Sequence, residues 1–149
     1  MTVFDPTDAG ARERLREELV GYFGRAPIVR TLGMELLYED GRAAVRLPPN
    51  PDLSHPLAQV HGGMVGTIVD TAAWFDAAPH YGVWLSTSDY HVRLLEPIPE
   101  DVEIRAVANP VRLGRRTAVE RVLVERDDGG VVAVGSATLI TTSQELRLP

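Results

Sequence analysis

His61-Gly62-Gly63-Met64-Val65-Gly66-Thr67-Ile68-Val69-Asp70-Thr71-Ala72-Ala73-Trp74-Phe75-Asp76-Ala77-Ala78 is the stretch whose reading decides the fold. It is nearly uncharged, and its apolar residues recur with a helical period. Met64, Ile68, Ala72 and Phe75 form one stripe, which Val65 and Val69 widen. A helix that is apolar on most of its circumference is a buried one, so the pattern predicts a buried central helix over 62–78. Pro79 ends it, because proline disfavours helical geometry in the residue before it. Asp70 sits mid-helix, where an ionised carboxylate is costly unless it is paired or used. Gly62, Gly66 and Asp70 repeat at every fourth position, and Ala73 and Ala77 continue that face. A face of small residues lets another body, a substrate or a partner helix, approach the backbone closely. Each interior glycine costs about 1 kcal/mol against alanine. The N–H groups of Gly62 and Gly63, at the helix start, lack intrahelical acceptors and lie at the positive end of the dipole, which suits a developing oxyanion.

On the N-terminal side, Leu15, Leu19 and Tyr22/Phe23 fall on one helical face, predicting a helix over 9–23. Ala26 to Leu32 reads as a further turn of helix before Gly33. Met34–Tyr38 and Ala43–Leu47 read as strands joined through Asp40-Gly41, a hairpin signal. A loop rich in Pro, Asn, Asp and Ser follows over 48–60. On the C-terminal side, strands are expected over Trp84–Leu95, Val102–Pro110, Thr117–Glu125 and Val131–Thr142, separated by turn sequences. Ile104, Ala106 and Ala108 alternate with Glu103 and Arg105, as a half-buried strand requires. The expectation is an α+β chain, a single domain over 1–149, with a long antiparallel sheet wrapped around one long buried helix. Edge pairing into a dimer is the cheapest way to protect such a sheet.

Composition narrows the chemistry. The 149 residues contain no Cys, which removes disulfides, thiolate nucleophiles and cysteine zinc sites. All fifteen basic residues are Arg, so Schiff-base and lysine phosphate-loop chemistry is also removed. A net charge of −6 argues against nucleic-acid or anionic-membrane binding. No apolar run is long enough to span a bilayer, and the first ten residues lack a signal pattern, so a cytoplasmic location is expected. The four His show no metal-ligand spacing, and no metal or other cofactor is expected.

The segment His61-Gly62-Gly63 with Asp70 nine residues after the His resembles the signature of the hotdog-fold thioesterases of the phenylacetate pathway. The resemblance extends to the preceding hairpin, to Thr87–Leu95 with Glu96-Pro97, and to Gly114-Arg115. It implies a hotdog fold, a homodimer or homotetramer, and hydrolysis of an acyl-CoA to a free acid and coenzyme A. It implies that Asp70 is the general base or nucleophile, that Gly62 polarises the thioester carbonyl, and that Thr87 helps position water. Gly62 and Asp70 would come from opposite subunits. Where that family carries Asn, six residues before the motif His, this chain has His55. A neutral His can donate one hydrogen bond, and Gln59 or Asn50 are alternative amides.

His61 is expected to order the helix start through a ring-to-backbone bond and, with Gly63, to lie against the substrate. His80 and His91 read as a helix-end and a strand residue. Ser136 lacks the second glycine of a nucleophile elbow and reads as a strand residue. Arg93, Arg115 and Arg116 are the candidate phosphate binders, balanced against solvated strand-end charges. Trp74, Phe75, Trp84 and Tyr90 either line an aromatic pocket or fill the core. Two other functions fit the same fold: a non-catalytic acyl-CoA-binding or scaffold protein, and a hydratase or dehydratase using His61 with Asp70.

Overall fold

The computed structural model describes residues 4–146 and 148. Helix α1 spans Ala9–Phe23 and α2 spans Pro27–Leu32, stopped by Gly33 in the left-handed region (φ 69°). Strands β1 (Glu35–Glu39) and β2 (Arg42–Leu47) form the expected hairpin. Its two turn residues, Asp40 and Gly41, both have positive φ (50° and 74°), the geometry that matches the twist of the flanking strands. The 48–60 segment is not all loop. Ser54–His55 (β3) and Gln59–Val60 (β4) pair as a small hairpin. Helix α3 runs Gly62–Ala77 and tightens into a 3-10 turn, Ala78–His80, where Pro79 interrupts the helical ladder.

The remaining strands are β5 (Val83–Leu94), β6 (Ile104–Leu113), β7 (Thr117–Arg126) and β8 (Val131–Glu145). β6 runs past Pro110, where the sequence pattern ends it. Because Pro110 has no N–H to give the ladder, the register slips between Pro110 and Arg112 and pairing then resumes. β8 likewise extends past Thr142. The six longer strands make one antiparallel sheet in the order β1-β2-β6-β7-β8-β5, and α3 packs against β2, β5, β6, β7 and β8, while Tyr38 of β1 donates its hydroxyl to the Phe75 carbonyl of α3 (2.7 Å). This is the sheet-around-a-helix arrangement expected of a hotdog domain. Among the described residues, no helix is long and apolar enough to cross a membrane.

Inward-facing Ile104, Ala106, Ala108, Val122, Val124, Ala137 and Leu139 bury the α3 side of the sheet, against Val65, Ile68, Val69 and Ala72. The outer face of β1, β2, β6 and β7 carries ion-pair chains instead. Arg46 bridges Glu35 and Glu103, and Arg105 bridges Glu39 and Glu125. These pairs are solvated and individually add little stability. Along Gly62 and Gly66 the small-residue face of α3 is covered by β5 of the same chain, not by a second helix. A Cβ on Gly62 would lie 2.8 Å from Leu94 Cδ1, and one on Gly66 would lie 3.3 Å from Tyr90 Cε2. Ala73 and Ala77 are fully buried in the core.

Two carboxyl groups lie deep in this core, and sequence reading missed both. Asp76 on α3 and Glu120 on β7 lie close to each other, with Arg42 nearby, and neither Glu120 oxygen has a hydrogen-bond donor among the described residues. Asp76 Oδ1 accepts from the Ala43 N–H at 2.7 Å, tying the helix to β2. Burial, reinforced by the charge of Asp76, pushes the Glu120 carboxyl up to about 9 from its ordinary 4.5. Glu120 is therefore neutral at pH 7 and supplies the proton of the carboxyl pair. The folded protein holds that proton to higher pH than the unfolded chain. Stability from this group is thus fully present below pH 4.5 and is lost as pH rises through about 9. Glu120→Gln keeps the shape of the neutral acid and removes its ionisation. The variant is expected to melt at a higher temperature than the wild type at pH 9, with the gain shrinking toward pH 5. Parallel melting-temperature curves across pH 5–9 would contradict this assignment.

Candidate active site

The His-Gly-Gly segment builds the start of α3. His61 is its N-cap residue, and its ring Nδ1 accepts the Gly63 N–H at 3.0 Å. The His61 carbonyl accepts the Met64 N–H at 2.8 Å. The His61 role expected from the sequence, loop order through a ring-to-backbone bond, is what the structure shows. It also leaves Gly63 with no free donor. The Gly62 N–H has no acceptor among the described residues, so it is the unspent donor at the positive end of the helix. A Cβ there would press only on the flexible end of the Leu94 side chain, 2.8 Å away.

The β3–β4 hairpin flanks this donor. It is held by Val60 N–H to the Ile98 carbonyl (2.8 Å) and His61 N–H to the Leu53 carbonyl (2.9 Å). His55 and Gln59 are directly cross-strand partners. The His55 Nδ1 accepts the Leu57 N–H at 3.3 Å, so its proton is assigned to Nε2, which remains a free donor. Gln59 stands next to it as a second donor. Asn50 is set aside, because its side-chain oxygen caps the 3-10 turn Pro51–Leu53 through Asp52 N–H. His55, Gln59, His61, Gly62, Leu94 and Pro97 line an open groove of about 520 Å³.

Two helical turns on, Asp70 is half-buried, and Thr87 of β5 donates its hydroxyl to Asp70 Oδ1 at 2.8 Å. Thr87, which the resemblance names as a water-positioning residue, thus lies beside Asp70. Asp70 joins none of the ion pairs among the described residues, and its Oδ2 is neither bonded nor sealed. Asp70 opens instead onto a mostly apolar recess of about 250 Å³. Tyr22 of α1, Ile28 of α2, Met34, Trp74 and Trp84 form its walls. Trp74 is fixed by donating its indole N–H to the Leu85 carbonyl (2.8 Å) and by its contact with the Trp84 ring, 4.9 Å between centroids. Trp74, Phe75 and Trp84 thus line a recess. Tyr90 does not, since it lies over Gly66.

The arginines fall apart from this site. Arg93 was a candidate phosphate binder. It pairs with Val134 in the sheet and projects with Asp89 and His91 from the outer face, away from α3 and both recesses. Strand alternation, with the bulge at Ser88, sets that direction. Arg115 and Arg116 are exposed in the β6–β7 turn. The Gly114 carbonyl of that turn accepts from Tyr81 Oη, past the C-terminal end of α3 and opposite Gly62. His80 lies in the 3-10 turn after α3, and burial lowers its basicity, aided by Arg16, Arg12 and Arg42. His91 and Ser136 are cross-strand partners on the outer face.

The arrangement provides a positioned carboxylate, an unspent backbone donor and adjacent side-chain donors, the parts needed for attack on a carbonyl. Solved structures carry the same fold. The chain superposes on the PaaI protein from the phenylacetic acid degradation operon of E. coli with a TM-score of 0.82, at 16% identity over 90% of this chain and 97% of that one. It is similar to a thioesterase from Haemophilus influenzae (TM-score 0.78, 20% identity, 88% and 92% coverage). It is also similar to a variant of phenylacetic acid degradation protein PaaI from Thermus thermophilus (TM-score 0.72, 24% identity, 78% and 100% coverage). At these identities the likeness speaks to the hotdog fold alone. No curated protein matches the sequence. The sequence profile of the thioesterase superfamily, however, matches residues 58–133, more than half of the chain and the part holding the helix start, Asp70 and Thr87. The chain belongs to the thioesterase superfamily.

Proposed function

We propose that this protein hydrolyses an acyl-CoA thioester to a free carboxylic acid and coenzyme A, at a site shared by two copies of the chain, with Asp70 as the acting carboxylate. The observation that carries this reading is the Asp70 side chain, oriented at one oxygen by Thr87 and open at the other to an aromatic recess. Gly62 and Asp70 are eight positions apart on one helix, a rise of roughly 12 Å. A single carbonyl cannot touch both, because donor and base must each lie within about 3 Å of the reacting group. A second copy with its helix start facing this Asp70 completes the constellation, in a homodimer or a homotetramer.

In this assembly the acyl group enters the recess beside Asp70, and the thioester oxygen meets the partner's Gly62 N–H. The partner's His55 Nε2–H, or the amide of the partner's Gln59, supplies a second hydrogen bond. Asp70 takes a proton from water as the water oxygen bonds to the carbonyl carbon. The tetrahedral oxyanion collapses, the C–S bond breaks and the thiolate leaves to be protonated. In the nucleophilic variant, Asp70 oxygen bonds the carbonyl carbon, the C–S bond breaks and the thiolate leaves to be protonated, and water then cleaves the mixed anhydride to regenerate the Asp70 carboxylate and release the acid. Arg115 and Arg116 are the remaining candidates for the coenzyme phosphates.

The hydratase reading requires His61 to work beside Asp70. The His61 Nδ1 is instead committed to the Gly63 N–H at the helix start, and within one chain the ring lies two turns from that carboxylate. No observation favours a purely binding role, which has no use for an oriented carboxylate.

Asp70→Asn keeps the shape and removes the base. Thiol release from a panel of aliphatic and aromatic acyl-CoAs is expected to fall at least about 100-fold in kcat. Turnover close to wild type in a correctly assembled variant would remove the proposal. His55→Ala is expected to lower kcat by about 10-fold to 100-fold, while His55→Asn, still a donor, retains most of it. Loss caused instead by Gln59→Ala, with His55→Ala unaffected, would move the donor to the amide.

A further inference from the structure

A second hollow adjoins the recess at Asp70. A cleft of about 540 Å³ lies at the end of β8, lined by Ser143, Gln144 and Leu146. Tyr22 and Trp84 line this cleft and also line the recess of about 250 Å³ beside Asp70. These two side chains therefore stand between the two spaces. The recess alone is smaller than the roughly 300–1,000 Å³ that holds a drug-sized ligand, and the two spaces together fall inside that range.

The sheet gives up regular pairing to put Trp84 there. In the β5–β8 ladder Val83 faces Glu145 and Leu85 faces Thr141, so Thr142, Ser143 and Gln144 all stand against Trp84 alone. A bulge of this kind re-aims a side chain. Neighbours on a regular strand point to opposite faces. Here Leu85 is buried in the core, yet the Trp84 ring also lies beside α3, 4.9 Å from the ring of Trp74. The widened stretch is fixed from within. The Thr142 hydroxyl donates to the Trp84 carbonyl at 2.8 Å and accepts the Gln144 N–H at 3.2 Å. Tyr22, the last residue but one of α1, closes the other side. Its ring is outside the chain of ring contacts that joins Phe23, Phe75, Trp74 and Trp84. Its hydroxyl, unlike those of Tyr38 and Tyr81, has no hydrogen-bond partner among the described residues.

We infer that Tyr22 and Trp84 set the length of the acyl group this protein accepts. The inference rests on the thioesterase reading given above and adds a selectivity to it. A compact acyl group fits between Asp70 and the Tyr22–Trp84 pair, against Trp74, Met34 and Ile28. A longer chain meets the two rings and needs the cleft beyond them. In an apolar pocket a single methylene changes kcat/KM by about 10–200-fold, so a wall at this place discriminates steeply. Trp84 is held by the bulge and by Trp74, which makes Tyr22 the side chain whose displacement joins the two spaces. The bulk of the rings, not the Tyr22 hydroxyl, carries the selection.

Straight-chain acyl-CoAs from acetyl to palmitoyl give the length profile by thiol release. The wild type is expected to favour the short members. Tyr22→Ala and Trp84→Leu are each expected to raise the decanoyl-to-butyryl ratio of kcat/KM at least about 10-fold, while Tyr22→Phe keeps the wild-type profile. Ser143→Phe added to Tyr22→Ala fills the cleft and is expected to cancel the gain. Binding reports the same wall without turnover. The chain has two Trp, and both line the recess, so their fluorescence follows its occupation. Tyr22→Ala, which retains both, is expected to bind decanoate at least about 10-fold more tightly than the wild type and butanoate equally well. A wild type that handles decanoyl as readily as butyryl would overturn the inference. So would folded Tyr22→Ala and Trp84→Leu proteins that both keep the wild-type profile. Asp70-dependent thiol release with an unaltered length profile leaves the proposed function standing and removes the wall. The fluorescence difference without thiol release leaves the wall standing and removes the function.

Discussion

The close contact between the glycine face of α3 and strand β5 is the constraint on which the rest of the structure depends. Gly62 and Gly66 have no side chains, so Leu94 and Tyr90 lie directly on the helix backbone. That approach brings Thr87 to Asp70 and leaves the Gly62 N–H at the margin of the edge strand. The glycines cost helix propensity, and tertiary packing repays it, since most helical stability in proteins comes from the packed face. The far end of the helix is secured differently, by Asp76 accepting the Ala43 N–H beside the neutral Glu120 carboxyl.

Much of this was legible in the sequence because it rests on local periodicity. The apolar repeat from Met64 to Phe75 specified a buried helix, and Asp40-Gly41 specified a hairpin whose two residues do adopt positive φ. The spacing from His61 to Asp70 pointed to a capped helix start and a carboxylate on one helix, and Thr87 proved to be the residue beside that carboxylate. What covers the small-residue face was not legible. Glycine and alanine announce a close approach without naming the visitor, and here it is the chain's own β5.

Other features were hidden for related reasons. Glu120 follows the inward alternation of Ala118 and Val122, so its position alone marked it as buried, but a lone inward Glu reads as a strand-pattern exception until Asp76 is brought beside it in space. The direction of Arg93 depends on the bulge at Ser88, which shifts the alternation by one residue and which no local turn sequence announces. The small β3–β4 hairpin, only two residues on each side, is too short to carry a strand pattern, yet it places His55 and Gln59 together beside the helix start.

The central claim is that Gly62 of one copy and Asp70 of another act on the same thioester. The most direct measurement mixes two inactive proteins, Gly62→Pro, which removes the N–H at a position where proline suits a helix start, and Asp70→Asn. After subunit exchange, mixed dimers contain one site with both lesions and one with none. Thiol release is predicted to recover to about one quarter of the wild-type rate, from half the dimers with half their sites intact. An exchanged mixture that remains as inactive as its two components would contradict the account.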